Sequence, residues 1–457
     1  MNTTYKKTIA ILVSLMAMAA ASAQNTYSGY FLENYTYRSQ MNPAFGSDRN
    51  YVGFPGLGNL NVAMRGNLHT SSVLYNLDGR TVLFTNPGIG VEEAMSKFHD
   101  HNRVQSNLRL NILNAGFRAF GGYNTVGINA VANVAAGIPG TFFSLAKEGV
   151  ANKTYDISDL RAHADAYAEI AFNHSREIPQ VKGLRVGAAM KFLVGMGNVD
   201  AYFHQADLTL GENEWIARTN ADLYASVKGL TYETDINKHT GHEYVSGADL
   251  DGFGPNGFGM AFDLGAEYEW TDWRFSAALL DLGFISWGNT RWASTGGLKT
   301  VNTDAFTFNV DDDASNSFDN ELDRLRDQLS ELYELDDKGD MGTRTRMLGA
   351  TLNLGAQYRL PVYRKLSFGL LNSTRIEGHY SWTQFRLSAN VEPVRCFSAG
   401  ANLAVGTFGC SFGWVTSVKV TGFNMFLGMD HTLGKLAKQG LPLSSNASVN
   451  LGINFPF

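Results

Sequence analysis

The chain has 457 residues, 44% hydrophobic and 12% aromatic, with 37 Lys and Arg against 43 Asp and Glu for a net charge of −6. This acidic balance argues against a nucleic-acid partner. The mean hydropathy of −0.15 carries no average membrane signal, as expected when half of every strand faces water.

At the N-terminus, Lys6 and Lys7 precede an apolar stretch from Ile9 to Ala20, closed by Ala21-Ser22-Ala23. These are the charge, length and small-residue ending of a secretory signal peptide over residues 1–23, cleaved before Gln24. Losing Lys6 and Lys7 leaves 35 basic against 43 acidic residues, a balance of −8. No Cys follows the cleavage point closely enough for a lipoprotein anchor, and the apolar stretch is too short to span a bilayer as a helix. No later apolar run reaches that length. A mature protein living in a membrane must then do so as a closed barrel, the other structure that satisfies every backbone group in lipid.

Residues 24–50 are rich in Tyr, Asn and Ser and show no strand period; from residue 51 onward a two-residue period recurs. Ala162, Ala164, Ala166, Ala168, Ile170 and Phe172 alternate with Arg161, His163, Asp165, Tyr167 and Glu169. Leu184, Val186, Ala188, Met190, Phe192 and Val194 alternate with Arg185, Gly187, Ala189 and Lys191, and Phe262, Leu264, Ala266 and Tyr268 enclose Asp263 and Glu267. One face is apolar and the other charged, over lengths that suit tilted membrane-crossing strands. Sixteen candidates lie near 59–70, 107–120, 122–136, 160–174, 182–197, 199–210, 214–228, 258–270, 272–285, 346–360, 364–372, 378–391, 396–406, 408–418, 420–432 and 446–457.

The long connections, at 71–106, 137–159, 229–257, 286–345 and 433–445, all follow odd-numbered candidates. The tight ones, Gly121-Gly122, Gly211-Glu212-Asn213 and Thr271-Asp272, follow even-numbered ones, and Pro179, Pro361 and Pro393 fall on the same short-turn rim. Such segregation is the asymmetry of outer-membrane barrels, whose long loops are extracellular. A secreted β-sandwich shares the alternation but gives no reason for the segregation, and its strands are usually shorter. The fold class expected is all-β: a transmembrane antiparallel up-and-down β-barrel over 51–457, of 14 to 16 strands, with termini periplasmic.

Within 286–345, Leu322, Leu325, Leu329, Leu332 and Leu335 form one stripe of an amphipathic helix from Ser317 to Leu335. It reads as a cap on the barrel mouth, or else as a partner-docking helix. Asp311, Asp312, Asp313 and Asp319 lack the Gly and Glu of a calcium loop, where Asn316 and Leu322 stand instead. His99 and His101, at the end of a short helix expected from Val91, fall on different faces, so neither group is assigned a metal. Cys396 and Cys410 are out of register across a hairpin turning near Gly406 to Gly409, and a disulfide is not expected. The last strand, Val449, Leu451, Ile453, Phe455 and Phe457 against Ser448, Asn450, Gly452 and Asn454, ends in an aromatic. Phe455 and Phe457 resemble the C-terminal signal read by the barrel-assembly machinery. Pro456 lacks an N–H and is expected beyond the last hydrogen bond that closes the ring.

Met41-Asn42-Pro43-Ala44-Phe45-Gly46-Ser47-Asp48, followed by Tyr51-Val52-Gly53-Phe54-Pro55-Gly56-Leu57-Gly58-Asn59-Leu60, resembles the start of an uncharacterised family of Gram-negative outer-membrane barrels. That family is similar in layout to the FadL transporters and to the PorV and PorP/SprF barrels of type IX secretion. The resemblance implies that residues 24–50 form a plug carrying Asn42, Pro43 and Ala44, and that the barrel has 14 strands. It fixes no solute.

The candidate lumen-lining residues are Arg161, His163, Asp165, Glu169, Arg185, Lys191, Asp263 and Glu267. Buried charges need partners, so Arg161, Arg185 and Lys191 are expected to pair with the acids on neighbouring strands. No Gly-x-Ser-x-Gly elbow or other nucleophile signature is present, so no catalytic residue is assigned and no enzyme activity or cofactor is expected. Two functions remain: a plugged channel for a small solute, hydrophobic solutes included, or a structural barrel that docks a secretion or surface partner. Outer-membrane lipid surrounds the barrel in either case.

Overall fold

The computed structural model describes residues 26–47, 49–149, 152–211, 214–237, 241–304, 334–432 and 446–457. The signal peptide, Asp311 to Asp319 and nearly all of the expected Ser317–Leu335 helix lie outside them. Within them the chain forms a closed antiparallel barrel of 14 strands. The strands are β1 (Tyr51–Gly53 with Leu60–Gly66), β2 (His101–Ala119), β3 (Gly122–Pro139), β4 (Arg161–Glu177) and β5 (Leu184–Leu210). There follow β6 (Gly257–Trp270), β7 (Trp273–Trp287), β8 (Ala350–Arg359), β9 (Leu366–Ile376) and β10 (Trp382–Val394). The last four are β11 (Phe397–Gly406), β12 (Gly409–Val420), β13 (Phe423–Met429) and β14 (Ala447–Pro456). Each pairs with the next, and β14 closes the ring on β1 through Leu60↔Leu451 and Val62↔Val449.

The alternation explains this directly. On β4, His163, Tyr167, Glu169, Asn173 and Ser175 are buried inside the barrel, while Phe172 on the other face is exposed. Phe258, Met260, Phe262 and Leu264 on β6, Leu370 on β9 and Leu403 on β11 are likewise exposed. A continuous apolar exterior over a polar interior is the inverse of a soluble core, and it is stable only against hydrocarbon.

Two of the sixteen expected strands are corrected. Residues 199–210 continue 182–197 as the single 27-residue β5. Opposite β4, Ala166 faces Gly197 and Tyr167 faces Gly195, so Met196 is an extra, bulged residue. A bulge reverses which residues face inward, and to a strict two-residue period that reversal looks like a strand end. Residues 214–228 form a real strand, Glu214–Val227, but it lies outside the ring. It pairs with the outer half of β5 and with Thr290–Ser294 and Lys299–Asp304, building a sheet beyond the long-connection rim. Leu210 and Trp215, which face each other on either side of the expected Gly211-Glu212-Asn213 turn, therefore lie on the long-connection side, opposite to expectation. Gly121-Gly122, Thr271-Asp272 and the three prolines do lie on the short-turn side.

Three local expectations also change or settle. The helix at Val91 ends at Met95, so His101 opens β2 instead of continuing a helix. Cys396 and Cys410 are free, because Cys410 faces Val405 while Cys396 lies beside Lys419 at the other end of the hairpin. Pro456 lies within the closing ladder, opposite Tyr51, and the next residue donates from Phe457 N–H to Asn50 O at 2.9 Å. That flanking bond makes Pro456 one of a non-hydrogen-bonded pair, so its missing N–H points away from β1 and costs no closure bond.

Among the described residues the largest buried apolar cluster is inside the barrel. Tyr27, Tyr30, Phe31, Leu32, Tyr35, Tyr37, Met41 and Phe45 of the N-terminal segment pack with Tyr51, Tyr123, Leu371, Trp382, Val415 and Phe426 of the wall. Beyond the long-connection rim a separate small core joins Tyr75, Phe84, Ile89 and Phe143, with Phe98 stacked on Phe143 at 4.0 Å.

Candidate functional site

The N-terminal segment runs through the interior, and the wall meets its backbone at many points. Two short 3-10 turns, Tyr27–Gly29 and Thr36–Gln40, fold it into a compact bend. At its start Asp430, just past β13, accepts hydrogen bonds from Tyr27 N–H (2.9 Å), Ser28 N–H (2.6 Å) and Ser28 Oγ (2.6 Å). Gln357 donates to Phe31 O at 3.1 Å, and Asn353 donates to Met41 O at 2.9 Å.

The expected Asn42-Pro43-Ala44 element has a visible task. Asn42 Nδ2 donates to the carbonyls of Ala266 (3.1 Å) and Ala277 (3.3 Å), while its Oδ1 accepts from Ala44 N–H at 2.9 Å. Asn173 donates to Pro43 O at 3.3 Å. The wall is hollowed to receive this turn: a Cβ on Gly187 would stand 2.1 Å from Pro43 O, and one on Gly265 would stand 2.1 Å from Asn42 Oδ1.

The interior charges form linked clusters. In the first, Arg109 grips Glu169 with both arms, at 2.7 and 3.1 Å, and Asn129 donates to the same carboxylate at 2.8 Å. Lys191 lies 2.7 Å from Asp263, 2.6 Å from Asp281 and 4.0 Å from Glu169. Asp281 occupies a bulge of β7 with φ of 59°, and its N–H donates to Asp263 at 2.7 Å. In the second, His163 bonds Asp200 at 2.7 Å and Asp165 at 2.9 Å, Asn133 donates to Asp165 at 2.7 Å, and Arg344 and Arg346 both reach Asp200.

At the short-turn end Arg274 gathers Glu33 of the segment (3.0 Å), Glu267 (3.2 Å) and Glu269, and Arg359 adds a second contact to Glu33 at 2.8 Å. Burial raises the Glu33 carboxyl, but Arg274, Arg38 and Arg359 outweigh it and hold the group below its usual range.

Of the expected interior residues, His163, Asp165, Glu169, Lys191, Asp263 and Glu267 come together in these clusters. Arg161 and Arg185 do not: Arg161 pairs with Asp159 at the long-connection rim, and Arg185 pairs with Glu177 at 2.6 Å on the opposite rim. Their places are taken by Arg109, Asp281, Asp200, Arg344, Arg346 and Arg274. Arg109 was visible in the polar run Asn107, Arg109, Asn111, whereas Asp281 was hidden because the bulge that carries it breaks the period. Phe455 points outward beside Phe54 and Phe423, with ring centroids at 6.2 and 6.3 Å, and Phe457 is exposed. Among the described residues no group of His, Cys, Asp and Glu is arranged to hold a metal.

Fold and interior together define a transmembrane β-barrel that encloses its own N-terminal segment. The chain belongs to a family of unknown function, DUF5723, matched over residues 43–430. No curated protein matches it. Solved structures that it resembles include the deltaS2S3 mutant of the monoaromatic hydrocarbon channel TodX, at 8% identity and a TM-score of 0.42 over 96% of this chain and 95% of the other. The toluene transporter TbuX of Ralstonia pickettii follows at 9% identity and a TM-score of 0.41, covering 92% of each chain. A FadL homologue of Pseudomonas aeruginosa gives 10% identity and a TM-score of 0.35 over 96% and 95%.

Proposed function

We propose that the protein is an outer-membrane channel for a small solute, closed at rest by residues 24–50 acting as a plug, with both termini on the periplasmic side. The observation that carries this reading is the seating of the segment: Tyr30, Leu32 and Met41 are 0% exposed inside the ring, yet the described segment is joined covalently to the wall only at β1 and otherwise held by hydrogen bonds, packing and the Glu33 ion pairs. A polar bore occupied by a segment with so few covalent ties is suited to opening by displacement of that segment. Nothing in this reading calls for a catalytic step.

Purified protein in a planar bilayer should conduct poorly, and deletion of residues 24–50 should raise its conductance severalfold. Equal, ion-impermeant behaviour before and after deletion would sink the channel reading. The sheet that β5 carries beyond the ring favours a second reading, a docking barrel for a surface or secretion partner. Co-purification of a stoichiometric partner from native membranes, lost when residues 214–256 are removed, would support it over transport.

A further inference from the structure

At the short-turn end a cavity of about 800 Å³ opens between the N-terminal segment and the wall. Glu33, Arg38 and Phe45 line it from the segment, and Lys182, Glu267 and Arg274 line it from the wall. Its carboxylates are already matched: Glu33 and Glu267 by Arg274, and Glu177 by Arg185 at 2.6 Å. The cations are not all matched. Among the described residues the Arg38 side chain makes one hydrogen bond, from Nε to Tyr30 O at 2.9 Å, and its guanidinium lies over the Phe45 ring at 4.1 Å. Arg38 is 6% exposed, and its Nη2 is buried without a partner. A charged donor left in this state costs more than a neutral one. Lys182, exposed at the cavity edge, also has no partner among the described residues.

We propose that this cavity is a binding site for a monocarboxylate, whose planar head takes the guanidinium of Arg38 and the ammonium of Lys182, both of which line it. A carboxylate matches a guanidinium arm in geometry and charge. The surrounding ring of matched carboxylates disfavours a dianion such as a phosphate monoester, because each added negative charge is repelled by Glu33, Glu267 and Glu269. Phe45 supplies an apolar wall behind the head group. The ligand touches both the segment and the barrel, so its binding free energy bears on whether the segment is seated. The assignment goes beyond the channel reading and does not depend on it, since binding is measured without conduction.

Isothermal titration of the full mature chain in detergent with benzoate, its uncharged twin benzamide and the dianionic phenyl phosphate tests the site. Benzoate should bind at least about tenfold more tightly than either competitor, the equivalent of about 1.4 kcal/mol. Arg38→Met, which keeps the stem over Phe45, should weaken benzoate about tenfold or more. Lys182→Met, at an exposed turn position where folding is not at stake, should weaken it severalfold. Benzoate binding no tighter than benzamide, or full affinity in either variant, would overturn the proposal.

Discussion

The two walls of the barrel satisfy their inward polar groups by different means. From β2 to β7 the interior is charged, and Arg109, Glu169, Lys191, Asp263 and Asp281 answer one another across adjacent strands. From β8 to β14 it is mostly neutral: Asn353, Gln357, Ser388, Asn390, Asn402, Ser417, Asn424, Asn450 and Asn454 are all buried. Several of these neutral groups bond the N-terminal segment, as Asn353 and Gln357 do through its carbonyls, Asn402 through Ser28 Oγ at 2.9 Å and Asn424 through Thr36 at 2.9 Å. Both walls bond the segment, the charged one through Asn173 to Pro43 O and through Arg274 to Glu33, but the charged wall holds most of its polar groups by its own ion pairs, whereas the neutral wall relies on amides and hydroxyls, several of them turned to the segment. A charged network is costly to break and has no substitute in water-poor surroundings. Neutral amides and hydroxyls can exchange a protein partner for water at little net cost. On the plug reading proposed above, the neutral wall is the one that can give up its bonds to the segment without dismantling the ring.

The sharpest way to break this comparison is to remove the hub of the charged wall. Lys191→Met should leave Asp263, Asp281 and Glu169 without their shared ammonium and destabilise the barrel by about 3–5 kcal/mol. Urea unfolding of purified protein, followed by the gel-mobility difference between folded and unfolded barrels, would measure it. A change below about 1 kcal/mol would show that the charges are not the wall's main polar support. On the segment, Asn42→Ala removes both bonds to the Ala266 and Ala277 carbonyls and the turn-closing bond from Ala44 N–H. The expected loss is about 1–3 kcal/mol in seating the segment. It should appear as faster proteolysis of the segment and higher conductance, with the urea midpoint of the ring nearly unmoved. A ring destabilised as much as in Lys191→Met would erase the distinction between the walls.

Most of the wall was legible because membrane strands obey a two-residue period in which each face has one solvent. The apolar face of β6, the short-turn prolines and the glycine turns at Gly121-Gly122 were read correctly for that reason. What escaped depends on register across strands distant in sequence. The partner of Glu169 is Arg109, 60 residues away, and no local spacing encodes that pairing. The bulges at Met196 and Asp281 escaped because they invert the period, the one signal available. In the segment, the Asn42-Pro43-Ala44 element was recognisable, but the pocket that receives it was not: Gly187 and Gly265 read as ordinary strand glycines until Pro43 and Asn42 are seen lying against them.

The smallest expected effect tests how the segment is held at two places, and pH separates them. Near the start of the segment His431, in the bend after β13, is kept neutral by burial and then by the nearby Arg65 and Arg386, well below the ordinary histidine value of 6.5. Arg65 donates to its Nε2 at 3.3 Å, a bond that requires the unprotonated nitrogen. When the chain opens, the histidine gains a proton below pH 6.5 that the folded state refuses, so stability falls progressively as pH drops from there. At the short-turn side of the barrel Glu33 has a folded value below its ordinary 4.5, so its contribution is complete above that pH and is lost only as pH falls through the lowered value. A stability profile measured from pH 8 downward should therefore decline in two windows. His431→Gln should remove the first without touching the second. Glu33→Gln should flatten the second and cost about 0.2–1 kcal/mol at neutral pH, the range of a partly exposed ion pair. If Glu33→Gln also abolished the decline that begins near pH 6.5, the two places would be held by one coupled network, and the segment would leave the wall as a single rigid piece.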